Sequence, residues 1–237
     1  MVAVRLVLVR PETPANVGAC ARVVRNGGLA GLDLVEPGDW RTVECWRTAW
    51  GASEVLEAVR VFPSLDAAVG DATWVAGLSA RREAAVPALD VRDMAEAVGG
   101  LAADDRAALV LGPESAGLSN EELARCGRRV FIPADPAQPS LNLSHAAAVA
   151  AYEVYRAARR SDPLPRRASH AEKARMLGLL KEGLRHIEAL PARNTDGYFQ
   201  EWEALFLRAD LTPKEVRLLE HMARKMAQAG WDSVGKP

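Results

Sequence analysis

Short apolar runs rich in β-branched residues recur along the first two thirds of the chain, at about 2–9, 31–35, 59–62, 73–78, 107–112 and 129–133. Between them, apolar positions take a helical spacing near 16–27, 41–58, 64–70, 90–100, 119–126 and 142–160. Strands that are apolar at nearly every position are buried on both faces, and alternating helices supply the cover and the crossovers that parallel strands need. The pattern predicts an α/β fold with a mostly parallel sheet and helices on both faces.

The texture changes after residue 160. Arg159-Arg160-Ser161-Asp162-Pro163-Leu164-Pro165-Arg166-Arg167 is polar, basic and broken by two prolines, the composition of a linker. The residues beyond it show no strand pattern. Ser169 with Glu172, and Thr212-Pro213-Lys214-Glu215, place a hydroxyl before a reciprocal Glu three residues on, which marks helix starts. Leu205, Phe206, Val216, Leu218, Leu219, Met222 and Met226 can then form a small helical core. The expected organisation is an α/β domain over 1–160, a basic proline-containing linker over 161–168, and an extension of two or three helices over 169–237. An extension this small leans on the main domain or a partner chain.

Composition narrows the class. A chain of 237 residues, 49% hydrophobic, can bury a full α/β core. No apolar run reaches the roughly 18 residues needed to cross a bilayer. The first residues, Met1 to Val9, are broken by Arg5 and lack a cleavage pattern, so a cytoplasmic protein without a membrane partner is expected. Cys20, Cys45 and Cys126 are odd in number and never paired as C-x-x-C, and His145, His170, His186 and His221 are scattered, so neither a disulfide framework nor a metal site is indicated. Net charge −1 argues against coating nucleic acid through bulk electrostatics, but the charge is uneven. Residues 1–160 carry 17 basic residues, all Arg, against 20 acidic ones; residues 161–237 carry 13 against 11, including every lysine.

Three separated stretches end strands and open helices, where an open α/β sheet holds its ligands. Asn16 precedes Gly18 and Arg22 and is placed to cap a helix. Gly112-Pro113-Glu114-Ser115-Ala116-Gly117 comes after an apolar strand and precedes a helix opened by Ser119 and Glu122; its glycines let backbone approach a ligand. Ile132-Pro133 leads through Pro136 and Pro139 to Ser140-Leu141-Asn142-Leu143-Ser144, more polar groups than one helix end requires. Trp46 and Trp50 lie four apart on one helical face and, with Trp40, are expected to pack rather than to stack on an RNA base. The first strand lacks the G-x-G-x-x-G of a nicotinamide dehydrogenase.

Together, Asn-x-Gly-Ala-x-x-Arg over 16–22, Leu-Gly-x-Glu-x-x-Gly-Leu over 111–118, and Ile132-Pro133 with Ser140 to Ser144 resemble the three-motif signature of the SPOUT superfamily. Within it they look like the TrmH-like RNA 2′-O-ribose methyltransferases, over about 1–160. Gly51-Ala52-Ser53-Glu54-Val55-Leu56, Gly77-Leu78-Ser79-Ala80-Arg81, Phe206-Leu207-Arg208-Ala209 and Leu211 to Val216 are similar to the TrmJ-type tRNA methyltransferases.

The resemblance implies a deep trefoil knot holding S-adenosylmethionine near Leu78, Ser79, Gly112, Glu114, Ile132, Ser140 and Leu141, with S-adenosylhomocysteine as product. It implies a homodimer in which Arg22 comes from the partner chain, and a catalytic set of Asn16, Arg22, Glu114, Ser140 and Asn142. A guanidinium resists deprotonation, so Arg22 is expected to clamp phosphate and stabilise the alkoxide rather than act as base. Arg22, Arg81, Arg82, Arg159, Arg160, Arg166 and Arg167 are the expected RNA contacts, through phosphates, with no DNA partner. The tail's resemblance to the TrmJ-type extension implies tRNA as substrate, in the anticodon loop at position 32. The alternatives are a ribose of rRNA or another tRNA position, or a knotted RNA-binding protein without catalysis.

Overall fold

The computed structural model describes residues 2–81, 86, 88–158, 166–191 and 193–228. Elements run in chain order as β1 (Ala3–Val9), α1 (Pro14–Gly27), β2 (Gly31–Val35), α2 (Val43–Thr48), α3 (Ser53–Glu57), β3 (Arg60–Phe62), α4 (Leu65–Val69) and β4 (Trp74–Leu78). Then come β5 (Ala88–Asp90), α5 (Val91–Gly99), β6 (Arg106–Leu111), α6 (Asn120–Cys126), β7 (Arg129–Phe131), α7 (Leu143–Ala157), α8 (His170–His186), α9 (Thr195–Arg208) and α10 (Pro213–Gln228).

The seven strands form one parallel sheet ordered β3-β2-β1-β6-β4-β7-β5. Alternation along β1 shows why both faces are covered. Val4, Leu6 and Leu8 join the core formed with α1, α5 and α7, whereas Val7 and Val9 join the core formed with α4 and α6. Six strands fall on the predicted runs. The seventh, β5, is a three-residue edge strand too short to leave a periodic signal. The single helix expected over 41–58 is two short ones, α2 and α3, interrupted by a turn with Gly51 at φ +76°.

Close helix packing depends on Gly18. A Cβ there would lie 2.0 Å from the Cys45 carbonyl oxygen and 2.2 Å from Thr48 Oγ1, so α1 and α2 meet through backbone.

The three tail helices enclose their own core of Met176, Leu180, Leu184, Phe199, Val216 and Ala223, and both predicted capping pairs form. The tail is stitched to the sheet domain by buried polar contacts. The His170 amide donates to the Ala72 carbonyl, and the Ala171 amide to that of Gly70 at 3.0 Å. Arg128 pairs with Asp210 and donates to the Arg208 carbonyl at 2.6 Å.

Lys173, buried here, donates to the Ala209 carbonyl at 2.8 Å. Its burial, with Arg128 nearby, pushes its pKa down to about 8 from an ordinary 10.5. Between those values the unfolded chain holds more protons than the folded one, so stability rises with pH over that window. Lys173→Met is expected to flatten that rise, read as thermal unfolding of both proteins from pH 7.5 to 10.5; an identical slope would contradict the assignment.

Candidate active site

The carboxyl ends of β1, β6, β4 and β7 lie side by side along one sheet edge, and each of the three motifs starts from one of them. The chain runs outward from β1 on one side and returns to fill the other, so the loops after β1 and β6 meet at the switch in strand order, where a ligand crevice is expected.

Glu114 organises this junction. Its Oε2 accepts from the Glu12 amide at 2.9 Å, and its Oε1 accepts from the Thr13 amide at 3.1 Å and from Asn16 Nδ2 at 2.7 Å. The exchange is reciprocal, because the Glu12 carboxylate accepts from the Ser115 amide at 3.1 Å and from the Ser115 hydroxyl. Burial acts to raise the Glu114 pKa, but Asn16 and the backbone amides outweigh it and hold the group below its ordinary 4.5. Glu114 is therefore ionised at neutral pH and only accepts. That fixes the Asn16 amide, with its NH2 toward Glu114 and its oxygen turned away.

The Asn16 oxygen then accepts from Asn142 Nδ2 at 3.3 Å. Asn142 in turn is the N-cap of α7, its Oδ1 accepting from the Ser144 amide at 2.9 Å and the Ser144 hydroxyl at 2.7 Å. One chain of hydrogen bonds, Ser144–Asn142–Asn16–Glu114, thus joins motifs more than a hundred residues apart.

Gly112 brings backbones together beneath this junction. A Cβ on it would lie 2.2 Å from the Leu118 amide nitrogen and 2.3 Å from the Gly117 carbonyl carbon. Gly117 itself sits at φ +65° and donates its amide to the Pro113 carbonyl at 2.7 Å. The neighbouring loop is braced by Arg81, which donates to the Ala116 carbonyl at 2.7 Å, while the Ser79 amide donates to the Val130 carbonyl at 2.9 Å. A cleft of about 470 Å³ opens between Arg10, Glu12, Arg81 and the loop from Pro113 to Asn120.

The other expected site residues take varied places. Leu78 ends β4 and is buried, Ile132 lies just past β7 and is half-buried, and Ser140 and Leu141 are exposed on the loop before α7. Arg22 is exposed on α1 and has no acidic partner among the described residues. It lies six residues beyond Asn16, about 9 Å along the helix and about 120° around it, so the two do not converge within one chain. Arg166 is exposed and only loosely paired with Asp104 and Glu172, at 3.8 and 3.9 Å. Arg82, Arg159 and Arg160 lie outside the described residues.

Three expectations are corrected. Asn16 is not a cap: α1 starts at Pro14 after Thr13, and the Asn16 side chain is taken by Glu114 and Asn142. Arg167 is not offered to RNA: it is 8% exposed, its amide donates to Asp105 at 2.8 Å and its guanidinium lies 3.3 Å from Asp210. With Ala168 also buried, the described end of the expected linker is packed. The tryptophan expectation holds for Trp40, which is 6% exposed, but fails for Trp50, which is 80% exposed. Glu12 and Ser115 were missed; the acidic residue two before Pro14 and the one after Glu114 carry no motif signal of their own.

Among the described residues, no group of three or more His, Cys, Asp and Glu that could hold an ion converges. No helix among them is long and apolar enough to cross a membrane.

Comparison with known proteins places the chain among RNA methyltransferases. The chain is 40% identical over 226 residues, 94% of its length and 85% of the other's, to the tRNA (cytidine/uridine/adenosine-2'-O-)-methyltransferase TrmJ of Pseudomonas aeruginosa. Its fold is similar to the crystal structure of TrmJ from Z. mobilis, with a TM-score of 0.81, 28% identity, and coverage of 95% of this chain and 99% of that one. It is also similar, at a TM-score of 0.52 and 31% identity over 65% of this chain and 95% of the other, to a structure addressing 2-OH methylation of C/U34 on tRNA. The SpoU methyltransferase AviRb from Streptomyces viridochromogenes, in complex with the cofactor AdoMet, matches at a TM-score of 0.52 and 25% identity over 65% of this chain and 60% of that one. Residues 3–152, which hold all three motifs, match the SpoU rRNA Methylase family, and the chain belongs to it.

Proposed function

We propose that this chain transfers a methyl group from S-adenosylmethionine to the ribose 2′-hydroxyl of a tRNA nucleotide in the anticodon loop, at position 32, as a cytoplasmic enzyme. The observation that carries this reading is the hydrogen-bond chain linking Asn142, Asn16 and Glu114 at the carboxyl edge of the sheet. The similarity, over 94% of this chain, to a tRNA 2'-O-methyltransferase supports tRNA over rRNA as the substrate class.

The residues at that edge suit the donor. Leu78, Ile132 and Leu141 offer apolar surface for a flat base, and the crowded Gly112 backbone places main-chain polar groups, not side chains, around it. When bound, the donor supplies an electrophilic methyl on a sulfonium. The chain's own work is alignment of two reactants, which in favourable cases lowers a barrier by about 7–11 kcal/mol. Asn16, held at both ends, fixes Asn142 and the start of α7; Ser140 and Asn142 orient the ribose; Glu114 anchors the arrangement without exchanging a proton. Arg22 clamps the phosphate and stabilises the developing alkoxide from the partner chain of a homodimer.

Strands β6 and β7 enter positions flanked by strands laid down earlier. This order supports a threaded connection, the trefoil knot, an arrangement rare among folds. We propose residues 1–160 as the catalytic unit and 169–237 as a helical extension.

Sharing of the site predicts complementation. Asn16→Ala and Arg22→Ala are each expected to be inactive, and their co-expressed mixture to recover about a quarter of wild-type methyl incorporation, because half the dimers then hold one intact site. A mixture that stays inactive would place Arg22 in its own chain's site. Methyl mapped to position 34 instead of 32 would move the target within the anticodon loop.

A further inference from the structure

Helix α2 is inside out for a surface helix. Its buried side is Cys45 and the adjoining Ala49, while its outer stripe is Val43, Trp46 and Arg47, which a 100° step per residue gathers within about 100° of arc, and Trp50 stands exposed in the turn just past its end. Val43 is 87% exposed, Trp46 39% and Trp50 80%. Large exposed apolar groups gathered on one face mark an interaction site.

The stripe is tied to the catalytic junction. Thr48 Oγ1 donates to the Ala15 carbonyl at 2.9 Å, and the Gly18 contact locks α2 against the same turn of α1. Trp50 stands two residues past Thr48, and Ala15 is the neighbour of Asn16. Arg47, on the same stripe, has no acidic partner among the described residues, and Arg41 lies at the head of the helix with its guanidinium 4.6 Å from the Trp40 ring centre. An exposed indole three residues from an Arg47 that pairs with no carboxylate among the described residues suits an unpaired base and its phosphate, and the positive charge of Arg41 and Arg47 complements a polyanion.

We infer that Trp50 is a stacking platform for an unpaired base of the RNA substrate, flanking the nucleotide to be methylated, with Arg47 on the adjoining phosphate. This rests on the function proposed for the chain. Stacking of this kind is tolerant of base identity, so Trp50 positions the loop and leaves the choice of nucleoside to other contacts.

The test measures steady-state methylation of tRNA, donor affinity, solution mass and tryptophan fluorescence for wild type, Trp50→Ala and Trp50→Phe. Trp50→Ala is expected to raise the KM for tRNA about 5- to 100-fold with kcat little changed. Donor affinity and dimer mass should stay at wild-type values. Trp50→Phe keeps an aromatic face and should restore KM to within a few fold, while losing the part of the fluorescence quench that tRNA causes in wild type. A wild-type KM in Trp50→Ala, a full quench in Trp50→Phe, or a fall in solution mass, which would make the stripe a contact between copies, overturns the inference. If wild type methylates no tRNA, the proposed function fails on that control alone. Quenching by a single-stranded RNA then still decides whether Trp50 stacks, its loss in Trp50→Phe supporting the inference and its persistence refuting it.

Discussion

Glu114→Gln is expected to lower tRNA methylation by about 100-fold while donor affinity changes little, the size of effect that a small misplacement of reacting groups produces. The carboxylate receives three donors from Glu12, Thr13 and Asn16. An amide in its place turns an NH2 toward one of them, so either a backbone amide or Asn16 loses its acceptor. Two donors facing one another in a half-buried site cost about 1–3 kcal/mol. The loss reaches the ribose side because Asn16 also holds Asn142. Single-turnover methylation with saturating donor and tRNA separates this effect from binding. A rate within a few fold of wild type would show that the hydrogen-bond chain is a brace without a role in alignment. The same substitution carries a pH signature. Since the folded Glu114 pKa lies below its ordinary 4.5, the group's stabilisation is complete above that value and is lost as pH falls through the folded one. Wild type should therefore lose stability on acidification below about pH 4.5 more steeply than the Gln variant.

Gly112→Ala is expected to lower stability by roughly 3 kcal/mol or more, since overpacking against atoms that cannot rotate away lies at the upper end of its usual cost. For a chain of this length that is about 6–12 °C in Tm. The added methyl would meet the backbone of Gly117 and Leu118, not the end of a flexible side chain, so relief requires the whole 112–118 loop to move. Moving it carries Glu114 and the Ala116 carbonyl that receives Arg81. Donor affinity, measured calorimetrically on the fraction that remains folded, should fall at least tenfold. Wild-type donor affinity in a folded Gly112→Ala protein would mean that the donor does not depend on this loop.

Most of the sheet was readable because strands such as β1, β4 and β6 are buried on both faces and leave nearly continuous apolar runs. Edge strand β5, only three residues long, leaves none. The capping pairs at Ser119, Ser169 and Thr212 were readable because they are local, each a hydroxyl and a carboxylate three residues apart. The site itself was readable only as motifs. That Asn16 turns from capping its own helix to Glu114 depends on a contact spanning 98 residues, and no local propensity encodes it. Arg167 misled for the converse reason. A basic run reads as a solvated surface, yet Asp105 and Asp210, distant in sequence, draw this one arginine into the junction between sheet domain and tail. Trp46 and Trp50 do not share one helix, because α2 ends at Thr48 and Trp50 lies in the turn beyond it, and a spacing of four reveals neither where a helix stops nor which way its face turns. Cys45, which fits against Gly18, and Ala49 take the inward side.

The central claim is that three distant loops make one site that places a methyl donor beside a ribose hydroxyl. Its most direct test is to incubate the protein with methyl-labelled S-adenosylmethionine and tRNA, hydrolyse the RNA in alkali, and locate the label. Alkaline cleavage uses the 2′-hydroxyl as nucleophile, so a methylated ribose leaves its label in an uncut dinucleotide, which should map to the anticodon loop. Label recovered in single nucleotides, which marks methylation of a base, or no label in tRNA at all, would contradict the account.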